Sequence, residues 1–594
     1  MVPEAIAPWV VAATVCLVVV AIVLGVGADV AMLAGLIVLA ILGLVNASQA
    51  VSGFANEGML TVATLYVVVA GLQSTGAISR LTGPLLRNVR TERGALMRLC
   101  IPIAAISAFL NNTPIVAVMI PVVTDWAKRT RIPVSRLLMP LSYATILGGT
   151  VTLIGTSTNL VVLGLIQSQM KAAEVPGLRP IGFFDLTYVG VPLALIGVAY
   201  IIIATPKLLP IRTPVLDVDD DARRYTARVR VIPNGPFDGK SIEAAGLRNL
   251  QGLFVAEIER GDDTLSAPAP ETVLRGGDVI VFAGVLETVR DLLTTRGLAS
   301  AESDPEPDQR AHTLTEAVVG TSFPGLGQTI RDFGFRGRYD AVILAVARDG
   351  KRVQGRIGDV IPEPGDTLLI QADPEFAKRW RDSRDFFLVG RVDGSASVSH
   401  ERAWIAVGIL VVMVAAATWN GNMLGAAAVA AGLMLLTRCV SATQARNSID
   451  LSTLLTIAAS IGISRAVETT GLGKFVGEGL VRLAQGHAVG SIAAIYVATM
   501  IFTAVVSNSA AAAIMFPIAL GAAAQIGGDP MPYVLAILFA ASADFATPIG
   551  YQTNLMVYGP GGYRFSDYLR LGIPLNLLAL IVTTVMLSLS FRLI

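Results

Sequence analysis

Charge and cysteine are both scarce in this chain of 594 residues. Asp, Glu, Lys and Arg together supply 15% of it, while hydrophobic residues supply 53% and the mean hydropathy is +0.65. So little charge excludes a soluble globular domain or a disordered chain and points to a polytopic α-helical membrane protein. The three cysteines, Cys16, Cys100 and Cys439, share no spacing suited to a disulfide framework or a metal site and read as apolar filler. His312, His400 and His487 fall in soluble or loop segments, with no paired nucleophile, metal-ligand spacing or phosphate loop, which argues against an enzyme. No cofactor is implied, and nothing suggests a nucleic-acid partner. The first residues lack a basic n-region and a cleavage signal, so the run at 8–25 is expected to be a retained anchor in the lipid bilayer.

Apolar runs at 8–25, 28–46, 58–75, 188–208, 403–418, 422–437, 451–466 and 572–592 each read as a span. Charge is concentrated between them: residues 211–400 hold 24 Lys and Arg against 30 Asp and Glu, leaving 21 against 14 elsewhere. An acidic soluble insert between two membrane parts is the expected plan, with boundaries at 1–210, 211–300, 301–400 and 401–594.

The two membrane parts echo one another. "NNTPIVAVMIP" (111–121) matches "SNSAAAAIMFP" (507–517), pairing Asn112 with Asn508 at an offset of 396. "IGTSTNLVVLG" (154–164) matches "IGYQTNLMVYG" (549–559), pairing Gly155 with Gly550 and Asn159 with Asn554 at an offset of 395. "FDLTYVGVP" (184–192) matches "SDYLRLGIP" (566–574). Three pairs in one order imply a duplicated fold. Arg80, Arg87, Arg90, Arg93 and Arg98 precede the first Asn segment, and Lys128, Arg129, Arg131 and Arg136 follow it. Basic flanks stay cytoplasmic, so both arms lie inside and the segment is a re-entrant hairpin. The segment around Asn508 has only Lys474 and Arg482 before it and no basic residue in "GGDPMPY" after it, as expected of the outer side. The repeats are therefore inverted, with about ten spans and two hairpins, both chain ends outside and a cytoplasmic insert.

Within the insert, "GKSIEAAGLRNLQGLFVAEIERG" then "RGGDVIVFAG", and "GQTIRDFGFRGRYDAVILAVARDG" then "EPGDTLLIQA", each read as strand, short helix, strand, turn, strand. Gly277-Asp278 and Gly365-Asp366 punctuate the last strand of each, and the polar stretch 301–310 links them. These units resemble the C-terminal domain of potassium-conductance regulators, the RCK-C or TrkA-C domain. The resemblance implies paired α/β domains that dimerise or bind a nucleotide; no dinucleotide fingerprint supports NAD.

Breaking a helix in hydrocarbon costs several kcal/mol unless protein or water satisfies the freed groups. Single residues such as Ser107 and Thr145 read as helix-packing contacts. Four interruptions at matched positions of inverted halves are different, because transporters place substrates and ions at such sites. Hairpin tips and broken helices present N–H groups and positive dipole ends that favour an anion. Asn and Thr oxygens with carbonyls freed at Gly155 and Gly550 suit sodium.

On these residues the chain resembles the divalent anion sodium symporter family of the ion-transporter superfamily, whose hairpins carry Ser-Asn-Thr and whose following helices break at Gly/Ala-Thr-Pro-Pro-Asn. Here the hairpins read Asn111-Asn112-Thr113 and Ser507-Asn508-Ser509, and the breaks read Gly155-Thr156-Ser157-Thr158-Asn159 and Gly550-Tyr551-Gln552-Thr553-Asn554. The paired insert makes it look like the sulfate-permease branch. The resemblance implies a homodimer with an elevator-type motion in a cell membrane, first of all a bacterial inner membrane, and sodium as coupling ion. One sodium site would use Asn111, Asn112 and Gly155, the other Ser507, Asn508 and Gly550. The dianion would touch Asn112, Thr113, Asn508 and Ser509, with Thr156 and Ser157 close by. Asn111, Ser509 and Tyr551-Gln552 depart from the family pattern.

Among acidic residues in apolar segments, Asp544 is a candidate for ion or proton coupling. Glu468 and Asp450, at span ends, read as interfacial and solvated. Three functions are therefore carried forward. The first is a secondary transporter of a dianion, sulfate before C4-dicarboxylate. A cation/proton antiporter or arsenite-type exporter of the same superfamily is the second, and a channel gated by the insert is the third. The absence of a TVGYG-type filter and the inverted repeats count against the channel.

Overall fold

The computed structural model describes the chain apart from residues 1–2, 25, 83–88, 90, 131, 173–174, 213–225, 248–252, 262, 267, 270, 285–297, 301–312, 321–322, 349–350, 354–356, 373–375, 381–382, 384, 392–401, 549 and 594. The linker 301–310, His312, His400, Arg87, Arg90 and Arg131 thus lie outside the described residues. The chain divides into two compact units. One is Met1–Ile211 with Ser397–Val557 and Arg564–Ile594, and the other is Arg212–Ala396 with Tyr558–Tyr563.

The first unit is helical, since a helix pairs each backbone group within its own segment, as hydrocarbon demands. Before the insert run α1 (Ala7–Val23), α2 (Ala28–Ile41), α3 (Glu57–Ser74), α4 (Glu92–Ser107), α5 (Asn112–Thr130), α6 (Leu138–Gly149), α7 (Ser157–Ala172) and α8 (Thr187–Leu208). After it come α9 (Ala403–Asn420), α10 (Met423–Leu436), α11 (Leu451–Thr469), α12 (Leu472–Leu483), α13 (Ala488–Thr503), α14 (Asn508–Ile526), α15 (Met531–Ser542), α16 (Gln552–Tyr558) and α17 (Phe565–Ser590). Among the described residues, six helical segments are long and apolar enough to cross a membrane, or seven if α12 and α13, bent by 119°, count as one span. Others are shorter than the apolar runs suggest. The run at 28–46 stops as helix before Gly43, whose φ is +74°, and α10 stops before Arg438, whose φ is +54°. At 14 residues each, α2 and α10 are about 21 Å long, against roughly 30 Å of hydrocarbon.

The helices pack into a core of small and branched residues. α11 lies against α2, α14 and α1, burying Met32, Leu36, Ile463 and Ile514. α4 packs on α6, and α13 on α15; α8 packs on α6 and on α17. α14, with a run of buried alanines from Ala510 to Ala513, is enclosed by α11, α12, α15 and α7. Short connections join α4 to α5 across residues 108–111 and α13 to α14 across 504–507.

The second unit contains two five-stranded antiparallel sheets. Strands β1 (Thr226–Val231), β2 (Leu253–Arg260), β3 (Asp263–Ser266), β4 (Val279–Gly284) and β5 (Leu298–Ser300) run in the order β3-β2-β4-β1-β5. Strands β6 (Thr313–Val319), β7 (Ala341–Arg348), β8 (Lys351–Arg352), β9 (Thr367–Ala372) and β10 (Phe386–Arg391) run in the corresponding order β8-β7-β9-β6-β10. Gly277 and Gly365, with φ of +97° and +91°, turn the chain into β4 and β9, which are followed by the edge strands β5 and β10 and so are not the last strands. Each sheet carries the same clamp. Arg260 donates to Asp278 at 2.9 and 2.7 Å and to the Val273 carbonyl at 2.7 Å. Arg348 does the same to Asp366 at 2.8 and 2.7 Å and to the Ile361 carbonyl at 2.7 Å. The Asp278 hydrogen bond is the main cause that raises the Arg260 pKa. The expected short helix is present in the second sheet's connection, as Ile330–Phe333 and Phe335–Tyr339. In the first sheet's connection Ile242–Gly246 is turn, and 248–252 lie outside the described residues.

Candidate functional site

At the tip between α4 and α5, Asn111 Oδ1 accepts the Asn112 backbone N–H at 2.8 Å. Pro114 then falls in the first turn of α5, where its missing N–H would have no intrahelical acceptor. The helix breaker therefore starts a helix at this tip. Ser107 Oγ lies 2.6 Å from Asn112 Oδ1 and 2.8 Å from the Thr145 carbonyl, fixing the amide against α6. The break between α6 and α7 is pinned from below by Asn159, whose Nδ2 donates to the carbonyls of Gly149 at 3.2 Å and Thr152 at 2.8 Å. Thr152 Oγ1 in turn donates to the Ala108 carbonyl of the tip. Gly149 and Gly155 press together beneath Asn112. A methyl group on Gly149 would lie 2.7 Å from Asn112 Oδ1, and one on Gly155 would overlap the Gly149 carbonyl.

The second tip repeats this construction at the same residue spacings. Thr503 Oγ1 lies 2.9 Å from Asn508 Oδ1 and 3.0 Å from the Ala541 carbonyl. Asn554 Nδ2 donates to the carbonyls of Asp544 and Thr547, each at 3.0 Å. One substitution changes the chemistry. Asp544 stands where the first cluster has Gly149, buried to 1% exposure, with Thr547 Oγ1 at 3.3 and 3.4 Å from its oxygens. A methyl group on Gly550 would overlap the Asp544 carboxylate. The Ser507 hydroxyl is buried, with no hydrogen-bond partner among the described residues. A hard cation would supply the partner such an oxygen lacks.

The clusters meet through the second break. Tyr551 OH accepts from Asn112 Nδ2 at 2.5 Å and lies 3.4 Å from Thr156 Oγ1, while Thr113 Oγ1 donates to Gln552 Oε1 at 3.1 Å. Ser142 Oγ of α6 lies 2.9 Å from Thr553 Oγ1 and 2.7 Å from Asn554 Oδ1, and Tyr143 OH donates to the Phe545 carbonyl at 2.5 Å.

The structure thus gathers Asn112, Thr113 and Thr156 around Tyr551 and Gln552, with Gly155 below Asn112. Asn111 and Ser157 instead line a shallow cleft beside the first tip, together with Val62, Tyr66, Ile154 and Leu410. Asn508 is held by Thr503, Gly550 sits against Asp544, and Ser509 is buried in the first turn of α14. Four helices begin at the motif residues Asn112, Ser157, Asn508 and Gln552. Sequence reasoning missed Ser107, Thr503, Thr547 and Ser142. Aligning the halves exposes the first two, since each stands five residues before its Asn; a packing contact alone does not require that match. Glu468, expected to be interfacial and solvated, is part-exposed and also bound: Arg465 donates to it at 2.9 Å and Gln169 Nε2 at 2.7 Å, tying α11 to the end of α7. Asp450 caps α11 through Thr453.

Apolar spanning helices around buried, hydrogen-bonded breaks define a multi-pass membrane protein of the transporter class. The family model for citrate transporters, CitMHS, matches residues 15–538 and 422–594, and the chain belongs to that family. A protein of Chlamydomonas reinhardtii described as a candidate sulfur deprivation response regulator is 37% identical over 96% of this chain and 99% of its own length. An uncharacterized transporter of Synechocystis, sll0640, is 29% identical over 93% and 92%. Sodium/sulfate cotransporter 2 of Chlamydomonas reinhardtii is 27% identical over 91% and 84%. The solved structure of the Alcanivorax borkumensis YdaH transporter aligns over 92% of this chain at a TM-score of 0.45 and 12% identity.

Proposed function

We propose that this protein is a secondary transporter that couples sodium to the movement of a divalent anion, sulfate ahead of C4-dicarboxylates. The observation that carries the reading is the pair of buried amide and hydroxyl clusters with equal spacings, Ser107–Asn112–Thr145 and Thr503–Asn508–Ala541. Asn112, Thr113, Thr156, Ser157, Asn508 and Ser509 supply uncharged donors to the anion, helped by the starts of α5, α7 and α14. Oxygens of Asn111, Asn112 and Gly155 take one sodium ion; those of Ser507, Asn508 and Gly550 take the other, where the unpartnered Ser507 hydroxyl supports the assignment. The names of the relatives and of the family, sulfate and citrate, have in common a multiply charged oxyanion.

The parallel hydrogen bonds also support two inverted repeats, 1–210 and 401–594, whose tips are re-entrant and which alternate access as a homodimer by an elevator motion. The insert is cytoplasmic and regulatory, with RCK-C-like domains at 211–300 and 301–400, and its equal strand orders and paired Arg–Asp clamps support a duplication. One observation favours a second reading. Asp544 is an intramembrane carboxylate beside Gly550, which suits coupling to a proton or exchange of cations.

Thermal unfolding of the purified protein separates these readings. Sulfate is expected to raise the midpoint in sodium and not in choline at equal ionic strength, and Asn508→Ala is expected to lose the effect. Equal protection in choline would remove sodium; no protection by sulfate or succinate would remove the dianion site.

A further inference from the structure

We propose that Tyr551, seconded by Gln552, is the specificity-determining residue of the anion site: it gives the site a hydroxyl donor and narrows it to a compact tetrahedral dianion. This rests on the dianion reading above and names the class of anion.

The matched positions of the two breaks carry Thr156-Ser157 and Tyr551-Gln552. The first pair is small. The second reaches out of its own cluster into the other, where Tyr551 OH accepts a hydrogen bond from Asn112 Nδ2 and lies beside Thr156 Oγ1, and Gln552 Oε1 accepts one from Thr113 Oγ1. The phenol oxygen therefore stands where Asn112 presents its donor, and so marks the position of an acceptor. Accepting from Asn112 leaves the phenol with its own proton to give. A phenol is neutral, so it adds a donor without a fixed positive charge, in keeping with a site built from amides and hydroxyls. An oxyanion oxygen placed between Asn112 and Thr156 displaces the phenol oxygen as acceptor and receives the O–H in exchange.

Size works in the same direction. Tyr551 is 6% exposed, so its ring fills space beside Asn112 and Thr156 that a threonine would leave open. Sulfate carries four acceptor oxygens around one atom and is served by donors converging from one side. A C4-dicarboxylate separates its charges by a carbon chain and needs the length that the ring takes up. A site that hydrogen-bonds a ligand discriminates far more strongly than one that merely admits its bulk.

The test is uptake of radiolabelled sulfate and succinate into proteoliposomes by the wild type, Tyr551→Phe and the double variant Tyr551→Thr/Gln552→Ser, with unfolding midpoints as a folding control. The wild type is expected to prefer sulfate. Tyr551→Phe keeps the ring and should lower sulfate kcat/KM roughly tenfold or more, the effect of removing one hydrogen bond to a charged group. The double variant should move the sulfate-to-succinate ratio at least about tenfold toward succinate, which a merely structural residue would not do. An unchanged ratio in folded variants of an active wild type would overturn the role of Tyr551 and leave the dianion reading standing. A wild type that moves neither anion would overturn both.

Discussion

The two polar clusters of the membrane unit share a frame and differ in chemistry. Ser107 and Thr503 fix an asparagine amide to the next helix, and Asn159 and Asn554 clasp the carbonyls of a break, at equal spacings. At other matched positions the pairs diverge: Gly149 against Asp544, Asn111 against Ser507, Thr156-Ser157 against Tyr551-Gln552. Asn112 and Asn508, Gly155 and Gly550, and Asn159 and Asn554 match, while these neighbouring side chains do not. The same spacing of hydrogen bonds interrupts a helix twice in this unit, with different side chains around each break. The first cluster is neutral, built for donors and carbonyl oxygens. The second adds a buried carboxyl group beside Gly550, which in its ionised form would strengthen attraction to a cation.

The most damaging way to disturb this comparison is to remove the shared frame. Asn112→Ala and Asn508→Ala should each reduce anion uptake to background while the protein still folds, as read by uptake and by size-exclusion chromatography. Uptake by both at the wild-type rate would take the pair out of the site.

Adding bulk to one frame should cost less. In Gly149→Ala the new methyl group would meet Asn112 Oδ1 at 2.7 Å. Overpacking of this kind costs roughly 1–3 kcal/mol, so uptake should drop and the unfolding midpoint should fall with it. A midpoint equal to wild type would mean that the tip and the break are less tightly apposed than described.

Equalising the charge comes next. Asp544→Asn should weaken apparent sodium affinity about tenfold, the effect of about 1.4 kcal/mol, and should change sulfate affinity less. If the variant instead keeps its sodium dependence and loses a response to pH, the proton reading gains.

The smallest effect on transport is expected in the second unit. Arg348→Ala leaves Asp366, 1% exposed, without its guanidinium partner, and breaking a buried pair costs roughly 3–5 kcal/mol. The insert should unfold earlier while the sulfate KM stays at the wild-type value. A changed KM would tie the clamp to the anion site.

Much of this architecture could be read from the order of residues. Apolar runs such as 188–208 and 451–466 became α8 and α11 because hydrocarbon leaves a helix no rival. "LFVAEIE" and "DTLLIQA" became strands β2 and β9, flanked by the turns that their glycines allow. Asn159 and Asn554 were legible as partners because both sit at the same place in a repeated string. Side-chain reach was not legible. Nothing in "GYQTN" says that its tyrosine crosses to Asn112, 439 residues away in sequence. Ser107 looked like packing because a lone hydroxyl in an apolar helix usually is. The bond from Gln169 to Glu468 was not legible because the two are 299 residues apart in sequence and come together only in the fold.

Uptake of radiolabelled sulfate by purified protein in proteoliposomes, driven by an inward sodium gradient and compared with choline and proton-gradient controls, tests the central claim most directly. Sodium-dependent accumulation that excess unlabelled sulfate blocks is the predicted result. Accumulation driven equally by a proton gradient without sodium, or none of sulfate or succinate under any gradient, would contradict it.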